Sequence, residues 1–439
     1  MPTFALDTVS PPRFAARAAT APNHMRILAL DGDENACVAS VRSLHAAGYS
    51  VIVGAPHRWS KAAVSRHCAG IFTHTPVQES AEAFARQIAH EAGREPGTLI
   101  IAHTEATTMA LSQYRELLLE HSARFVLPPH NTLLVAVNKA ETTALAERLG
   151  LTVPRTVTLE TTEEARATAR RIGYPTVLKA RQSQELCASG SVKATGRPEY
   201  ARNAREFMEG YTKLSASSGS VIAQEFVSGR GTGYFVLMNH GELRAEFAHL
   251  RIRDVHPTGS GSALRISIRP LAAVREASLR LLQALHFHGV GMVEFRLRDD
   301  GIPVFIELNP RFWNSLPLAI YAGVDFPVLL AEMAQKGDIE PQQTYRTNVR
   351  CRWIMGDCSH LAQVLWGKPK HFPGCFPRRW HTLREFFTPR RNTYHDLFLL
   401  RDPLPEIADW LRYTMKLARA IGGQVLGATA RQGVSILPQ

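Results

Sequence analysis

No stretch of about 18 uninterrupted apolar residues occurs in the 439-residue sequence, so no segment reads as a membrane-spanning helix. Cysteine is scarce: Cys37, Cys68, Cys187, Cys351, Cys358 and Cys375 lie without CxxC spacing. That scatter argues against a disulfide framework and a zinc ribbon, and a reducing, cytoplasmic setting is the expectation. Internal repeats and low-complexity tracts are lacking as well. The fingerprint GxGxxG is missing where a dinucleotide fold would carry it. The strand-like run Arg26–Leu30 is followed by Asp31-Gly32-Asp33-Glu34-Asn35-Ala36, whose three acids would repel a pyrophosphate. A nicotinamide or flavin enzyme is rejected on that ground. Residues 1–24 hold one acid (Asp7) and two arginines (Arg13, Arg17) with no amphipathic period and no apolar core of a secretory signal. They read as a disordered leader, with Met25 as an alternative start.

What is present is a globular composition, 45% hydrophobic and 21% charged, in a chain long enough for several subdomains around a cleft. The formal net charge of +12 is unevenly placed, since Tyr345 to Gln439 carries 15 Lys/Arg against 6 Asp/Glu. Such a tail can attract nucleic acid, anionic lipid or a polyanionic substrate, but a solvated face is the preferred reading. Nucleic acid is the least favoured partner, because the excess is confined to the tail and no reader motif accompanies its Trp366, Trp380, Phe386-Phe387 and Arg378-Arg379.

Periodicity predicts a βαβ opening: strand Ile27 to Leu30, helix Ala36 to Ala47 closed by Gly48, strand Ser50 to Gly54. Helix Ser80 to Ala92, strand Thr98 to Ala102, helix Thr107 to His121 and strand Arg124 to Leu127 follow, which implies a small parallel, Rossmann-like sheet. A helix from Asn138 to Leu149 ends at Gly150. Beyond it, alternating runs at Val177 to Lys179, Val221 to Phe226, Tyr234 to Met238, Leu243 to Leu250, Met292 to Leu297 and Pro303 to Leu308 predict an antiparallel sheet.

The most informative pair of runs is Gly291-Met292-Val293-Glu294-Phe295-Arg296 and Phe305-Ile306-Glu307-Leu308-Asn309-Pro310-Arg311. Side chains alternate along a strand, so Glu307 and Asn309 share a face and Glu294 on the neighbouring strand can join them. Two carboxylates and an amide oxygen are hard ligands suited to Mg²⁺, or Mn²⁺ in its place, bridging nucleotide phosphates. Lys139 at a helix start and Lys179 at a strand end are cations that phosphate would satisfy.

Here the chain resembles the ATP-grasp superfamily, in particular its carbamoyl-phosphate-synthase-like, carboxylate-amine ligase branch, over roughly the first 330 residues. The resemblance implies an α/β and α+β fold: a Rossmann-like preceding domain, a small lid and a larger antiparallel domain clamping ATP, with a basic C-terminal extension. It implies Glu294, Glu307 and Asn309 as magnesium ligands, Arg311 on the transferred phosphoryl group, and Lys139 and Lys179 on the α- and β-phosphates. Val221 to Val227 resembles the hinge, with Gln224, Glu225, Phe226 and Val227 against the adenine. Two departures stand out. The run Ala180 to Ser191 holds only one glycine, and Gly231-Thr232-Gly233 has no acid where the family holds the ribose.

The loop His249 to Arg265 combines charge, two histidines and mobile Gly/Ser residues, and reads as a substrate loop. Arg251 and Arg265 are the candidates for carboxylate recognition, and His249 or His256 for proton handling. The expected division is 1–24 leader, 25–130 Rossmann-like domain, 131–227 linker helix and lid, 228–340 large subdomain with the metal site, and 341–439 basic region. The expected activity is an ATP- and Mg-dependent ligase that activates a small carboxylate as an acyl phosphate for attack by an amine. The alternatives are a carboxyphosphate-type carboxylase or carbamoylating enzyme, and a nucleotide-binding, non-catalytic component of a biosynthetic complex. A homodimer is the expected assembly.

Overall fold

The computed structural model describes residues 25–181, 184–186, 192–194, 198–216 and 218–415. The proposed leader, most of the glycine-poor run after Ala180 and the last residues of the basic tail lie outside the described residues.

The N-terminal unit is built on four parallel strands in the order Gly70–Thr73, Ser50–Ala55, Arg26–Ala29, Leu99–Ile101. Helices Asn35–Ala46 and Ala81–Gly93 connect them, the second capped by the Ser80 hydroxyl accepting from the Ala83 amide. The expected helix Thr107 to His121 is two helices, Glu105–Gln113 and Arg115–Glu120, because Tyr114 has φ −100° and ψ 32°, outside the helical range. The expected strand Arg124 to Leu127 shrinks to a single bridge between Arg124 and Leu99.

Next comes the segment expected to be the lid, a small α+β unit with its own core. Its antiparallel sheet runs Thr156–Leu159, Val221–Glu225, Thr176–Ala180, Glu199–Ala201. Helices Thr162–Arg171 and Ala204–Ser215 cover it through Ala165, Ala169, Phe207 and Leu214, packed on Leu159 and Leu178. A separate core lets such a unit shift as a body.

The largest sheet has seven strands: Pro303–Asn309, Gly289–Leu297, Arg230–Asn239, Glu242–Arg253, Leu264–Ser267, Arg350–Arg352 and Thr393–His395. Its last two strands come from the basic C-terminal region, which is thus part of the sheet. One continuous core joins this sheet to the N-terminal unit, running from Ile27 and Val51 through Phe235, Phe247 and Trp313 to Leu397. No single helix among the described residues is long and apolar enough to cross a membrane.

Candidate active site

The hairpin Gly289–Leu297 and Pro303–Asn309 sets the register on which the site rests: Glu294 lies directly opposite Glu307. Two residues on, Asn309 faces the same way, and its Nδ2 donates to Glu307 Oε1 at 3.0 Å. Arg311 folds back at the strand end, where its guanidinium donates to Asn309 Oδ1 at 3.0 Å and to the Phe312 carbonyl at 2.8 Å.

Cations converge on this pair of acids. Lys139 Nζ is 3.9 Å from Glu307 Oε2, carried on the helix Lys139–Arg148 that Asn138 caps. Lys179, in the lid strand Thr176–Ala180, donates to Gln224 Oε1 at 2.9 Å. Burial pushes the Lys179 ammonium below the ordinary lysine value, against the attraction of Glu307. Burial alone would raise the Glu307 carboxyl, but Lys139, the Asn309 amide, Lys179 and Arg311 outweigh it and hold it below the usual glutamate value.

Sequence reasoning had Arg251 on the substrate loop; the structure places it on this face instead. Its guanidinium donates to Glu294 Oε2 at 2.6 Å and lies 3.7 Å from Asp254. Burial disfavours the Arg251 charge, yet Glu294 and Asp254 more than restore it and raise the pKa above the ordinary arginine value. The missing side chain at Gly231 makes this reach possible, since a Cβ there would lie 2.9 Å from Arg251 Cδ. Thr232, where no acid stands, turns its hydroxyl to the His249 carbonyl on the other face. The signal that could have found Arg251 is strand alternation, which puts Arg251, Gly231, Gly233 and Glu294 on one face of the sheet.

At the expected hinge, Gln224 is buried and bridges Lys179 to the Thr156 hydroxyl. Glu225 closes the ladder opposite Thr176, and its exposed carboxylate meets Arg155 at 3.4 Å. The Phe226 ring joins Tyr200 of the lid and Phe372 of the C-terminal region in an edge-on cluster with centroids 5.1 to 6.0 Å apart. Val227 follows outside the strand.

Three candidates are engaged with other partners. Arg265 is fully buried, its guanidinium paired with Asp396 and donating to the Ser262 carbonyl, so it is a structural ion pair and not a carboxylate receptor. His256 pairs through Nδ1 with Gln363 at 3.0 Å, and its amide donates to Ser260, which pins the loop to the helix Ile354–Trp366. His249 is buried against the Ser315 hydroxyl, and burial drives its pKa far below the ordinary histidine value, so it is held neutral.

At the C-terminal end of the strand Arg26–Ala29 lies a cleft of about 340 Å³, bordered by Asp33, Glu34, Lys61, Asn314, Trp353 and Asp409. Asn314, three residues past Arg311, donates to Glu34 at 2.8 Å and so ties the segment after strand Pro303–Asn309 to this cleft. A larger cavity of about 1220 Å³, lined by Ser43, Tyr321, Leu329, Ile339 and Gln342, shares no residue with the Glu294–Glu307 face.

The donor set fits a hard divalent cation that brings phosphate oxygens with it. Two carboxylates and an amide are too few for an all-protein cage, and among the described residues no cluster of three His, Cys, Asp or Glu supplies one. Lysines and arginines beside those carboxylates would meet the phosphates.

A family model described as "ATP-grasp in the biosynthetic pathway with Ter operon" matches residues 236–356. The carbamoyl phosphate synthase large chain of Hyperthermus butylicus is 25% identical over 258 residues, covering 54% of this chain and 23% of that protein. The N-terminal section of the same enzyme from Methanopyrus kandleri is 27% identical over 229 residues, 49% of this chain and 39% of that one. The chain therefore spans well under half the length of these curated relatives. Among solved structures, N5-carboxyaminoimidazole synthetase from Staphylococcus aureus aligns with a TM-score of 0.58 at 15% identity, over 76% of this chain and 82% of that one. The biotin carboxylase domain of Hydrogenobacter thermophilus 2-oxoglutarate carboxylase gives 0.59 at 17% identity, over 74% and 73%. An L-amino acid ligase from Bacillus licheniformis gives 0.54 at 17%, over 73% and 76%. The chain has the ATP-grasp fold, with carbamoyl-phosphate-synthase large chains among its relatives.

Proposed function

We propose that this protein is an ATP- and Mg²⁺-dependent ligase that activates a carboxylate as an acyl phosphate for attack by an amine. The observation that carries the reading is the opposed pair Glu294 and Glu307, with Asn309 beside them and Lys139 at 3.9 Å from Glu307. Glu294, Glu307 and Asn309 would hold the magnesium, which supplies charge neutralisation of the phosphates. Mn²⁺ suits the same oxygen ligands.

Lys139 and Lys179 orient the phosphate chain, Arg311 meets the transferred group, and the hinge from Gln224 to Val227 offers backbone to the purine edge. The substrate carboxylate oxygen bonds to the γ-phosphorus as the bond to ADP breaks. The amine then attacks the acyl carbon, losing a proton as phosphate leaves. Water must be kept out between those steps, a task for the lid, which carries Lys179 on an independent core.

The test is ADP release with Mg²⁺ across a panel of amino acids, small carboxylic acids and amines, with Glu307→Ala as control. Turnover that requires one acid and one amine and vanishes in the variant supports the ligase. Turnover that requires bicarbonate instead moves the assignment to carboxyphosphate chemistry, and absence of ATP binding sinks the reading.

A further inference from the structure

The C-terminal region reaches back over the small α+β unit that carries Lys179. Helix Ile354–Trp366 ends at Gly367, and the loop 367–375 that follows lies against that unit. Phe372 is buried, and its ring meets Tyr200 at 5.1 Å and Phe226 at 6.0 Å between centroids, both nearly edge-on. Gly374 comes so close that a Cβ there would stand 3.0 Å from Phe226 Cζ. One residue before Phe372, His371 Nδ1 lies 3.0 Å from Glu206 Oε1 on helix Ala204–Ser215. The Tyr200 hydroxyl also donates to the Thr258 carbonyl at 3.0 Å. Helix Ile354–Trp366 holds the loop that carries Thr258, since His360 Nδ1 donates to the Asp254 carbonyl at 2.7 Å and Gln363 Nε2 to the Val255 carbonyl at 3.1 Å.

These contacts are not what folds the small unit. Its core is built from residues such as Leu159, Leu178, Phe207 and Leu214, and the rings of Tyr200, Phe226 and Phe372 stand outside it. A contact outside the core of a unit can break while the unit stays folded. Its place is also telling. Phe226 directly follows Gln224 and Glu225 of the expected hinge, and the same sheet carries Lys179, on which the Glu307 charge acts. Any swing of the unit away from the large sheet has to part Phe372 from Tyr200 and Phe226, and His371 from Glu206.

We propose that the loop 367–375 is a strap that holds the lid and the adenine hinge in position, with Phe372 and His371 as positioning residues that act through Phe226 and Glu206. The proposal rests on reading the small unit as the lid of an ATP-dependent ligase and Gln224 to Val227 as its hinge. Nucleotide then enters and leaves as the strap lets go, and the C-terminal region sets the rate of that exchange.

Two measurements on the full chain test it: X-ray scattering without nucleotide, and release of a fluorescent ADP analogue followed by stopped flow. His371 is 43% exposed and Phe372 lies outside the lid core, so His371→Ala, Phe372→Ala and the double variant keep a cooperative melt. The expected result is a wild-type scattering curve that fits the strapped arrangement and a more open one for the double variant. Release should be faster by about tenfold in Phe372→Ala and by about threefold in His371→Ala. Scattering that is the same in the wild type and the double variant overturns the strap, whatever the nucleotide does. Release rates unchanged in both single variants overturn the positioning role of Phe372 and His371. A scattering change in a chain that binds no nucleotide supports the strap and removes the ligase reading.

Discussion

Replacing Glu307 by glutamine should change nucleotide binding with opposite sign in the presence and absence of magnesium. The glutamine keeps the volume and can still accept from Asn309 Nδ2, so the change is chiefly one of charge. Lys139 Nζ lies 3.9 Å from the carboxylate, at which distance two unit charges interact by about 4 kcal/mol in an effective dielectric near 20. Side-chain exposures of 14% and 28% leave the pair partly screened, so about half of that is a fair working value, roughly 2 kcal/mol. In EDTA the lysines are then released to phosphate, and ATP should bind more tightly, by up to about 30-fold. With Mg²⁺ the loss of a direct ligand should weaken binding by at least the roughly 10- to 100-fold that removal of an outer partner costs. Titration of a fluorescent ATP analogue in both buffers reads the two effects separately. Equal weakening in Mg²⁺ and in EDTA would refute the reasoning, because Glu307 would then be supporting the fold and not a cation.

Lys179 is held below the ordinary lysine pKa by burial, so its charge is present at low pH and is lost as pH rises through that lowered value. ATP affinity should therefore fall on the alkaline side earlier than an ordinary lysine predicts, and Lys179→Arg should flatten the profile in a binding titration. Arg251→Met leaves Glu294 without its 2.6 Å partner, so the variant should melt lower and gain more from added Mg²⁺ than the wild type does in a thermal-shift assay. Arg42 donates to Asp402 at 2.8 Å with both side chains almost fully buried, and Arg42→Ala should cost about 3–5 kcal/mol in urea denaturation. Burial lowers the His103 pKa from 6.5 to about 4, so the unfolded chain binds the proton first. Stability should drop as pH falls from 6.5 to about 4, with a shallower slope in His103→Gln, measured by denaturant midpoints.

Local patterns made the hairpin legible. Alternation along Met292 to Leu297 and Pro303 to Leu308, with a short turn between, is enough to set Glu294 opposite Glu307, and the structure has that register. The βαβ opening was legible for the same reason, as an apolar strand and a closed helix in sequence neighbourhood. What failed were contacts between distant residues. Arg265 beside mobile glycines looked like a receptor for an anion, but its anion is Asp396, 131 positions away. His256 met Gln363, 107 positions on. Charge on a strand end has the same appearance in sequence whether it awaits a substrate or an internal partner. The helix Thr162–Arg171 leaves little trace in sequence because it buries only Ala165 and Ala169 among many charges, whereas Ala204–Ser215 buries Phe207, Tyr211 and Leu214 at a helical spacing that the sequence does carry.

The basic C-terminal region shows how far composition can mislead about separability. Its acids are few, yet four of them neutralise cations from the body of the protein: Asp357 with Arg253, Asp396 with Arg265, Asp402 with Arg42 and Asp409 with Lys61. Every one of these acids is buried, so the surface of the region is more basic than its sequence balance states. The same pairs bind the region to the fold. A chain ending before Arg350 would lose two strands of the large sheet and leave Arg42, Arg253 and Arg265 without their carboxylates. Each such orphaned buried charge costs about 3–5 kcal/mol, and three together exceed the roughly 5–15 kcal/mol that holds an ordinary domain folded once the lost strands are counted. The truncated chain should show no cooperative thermal transition. If it melted cooperatively near the full-length temperature, the buried pairs would be decoration on an independent ATP-grasp core, and the C-terminal region a detachable module after all.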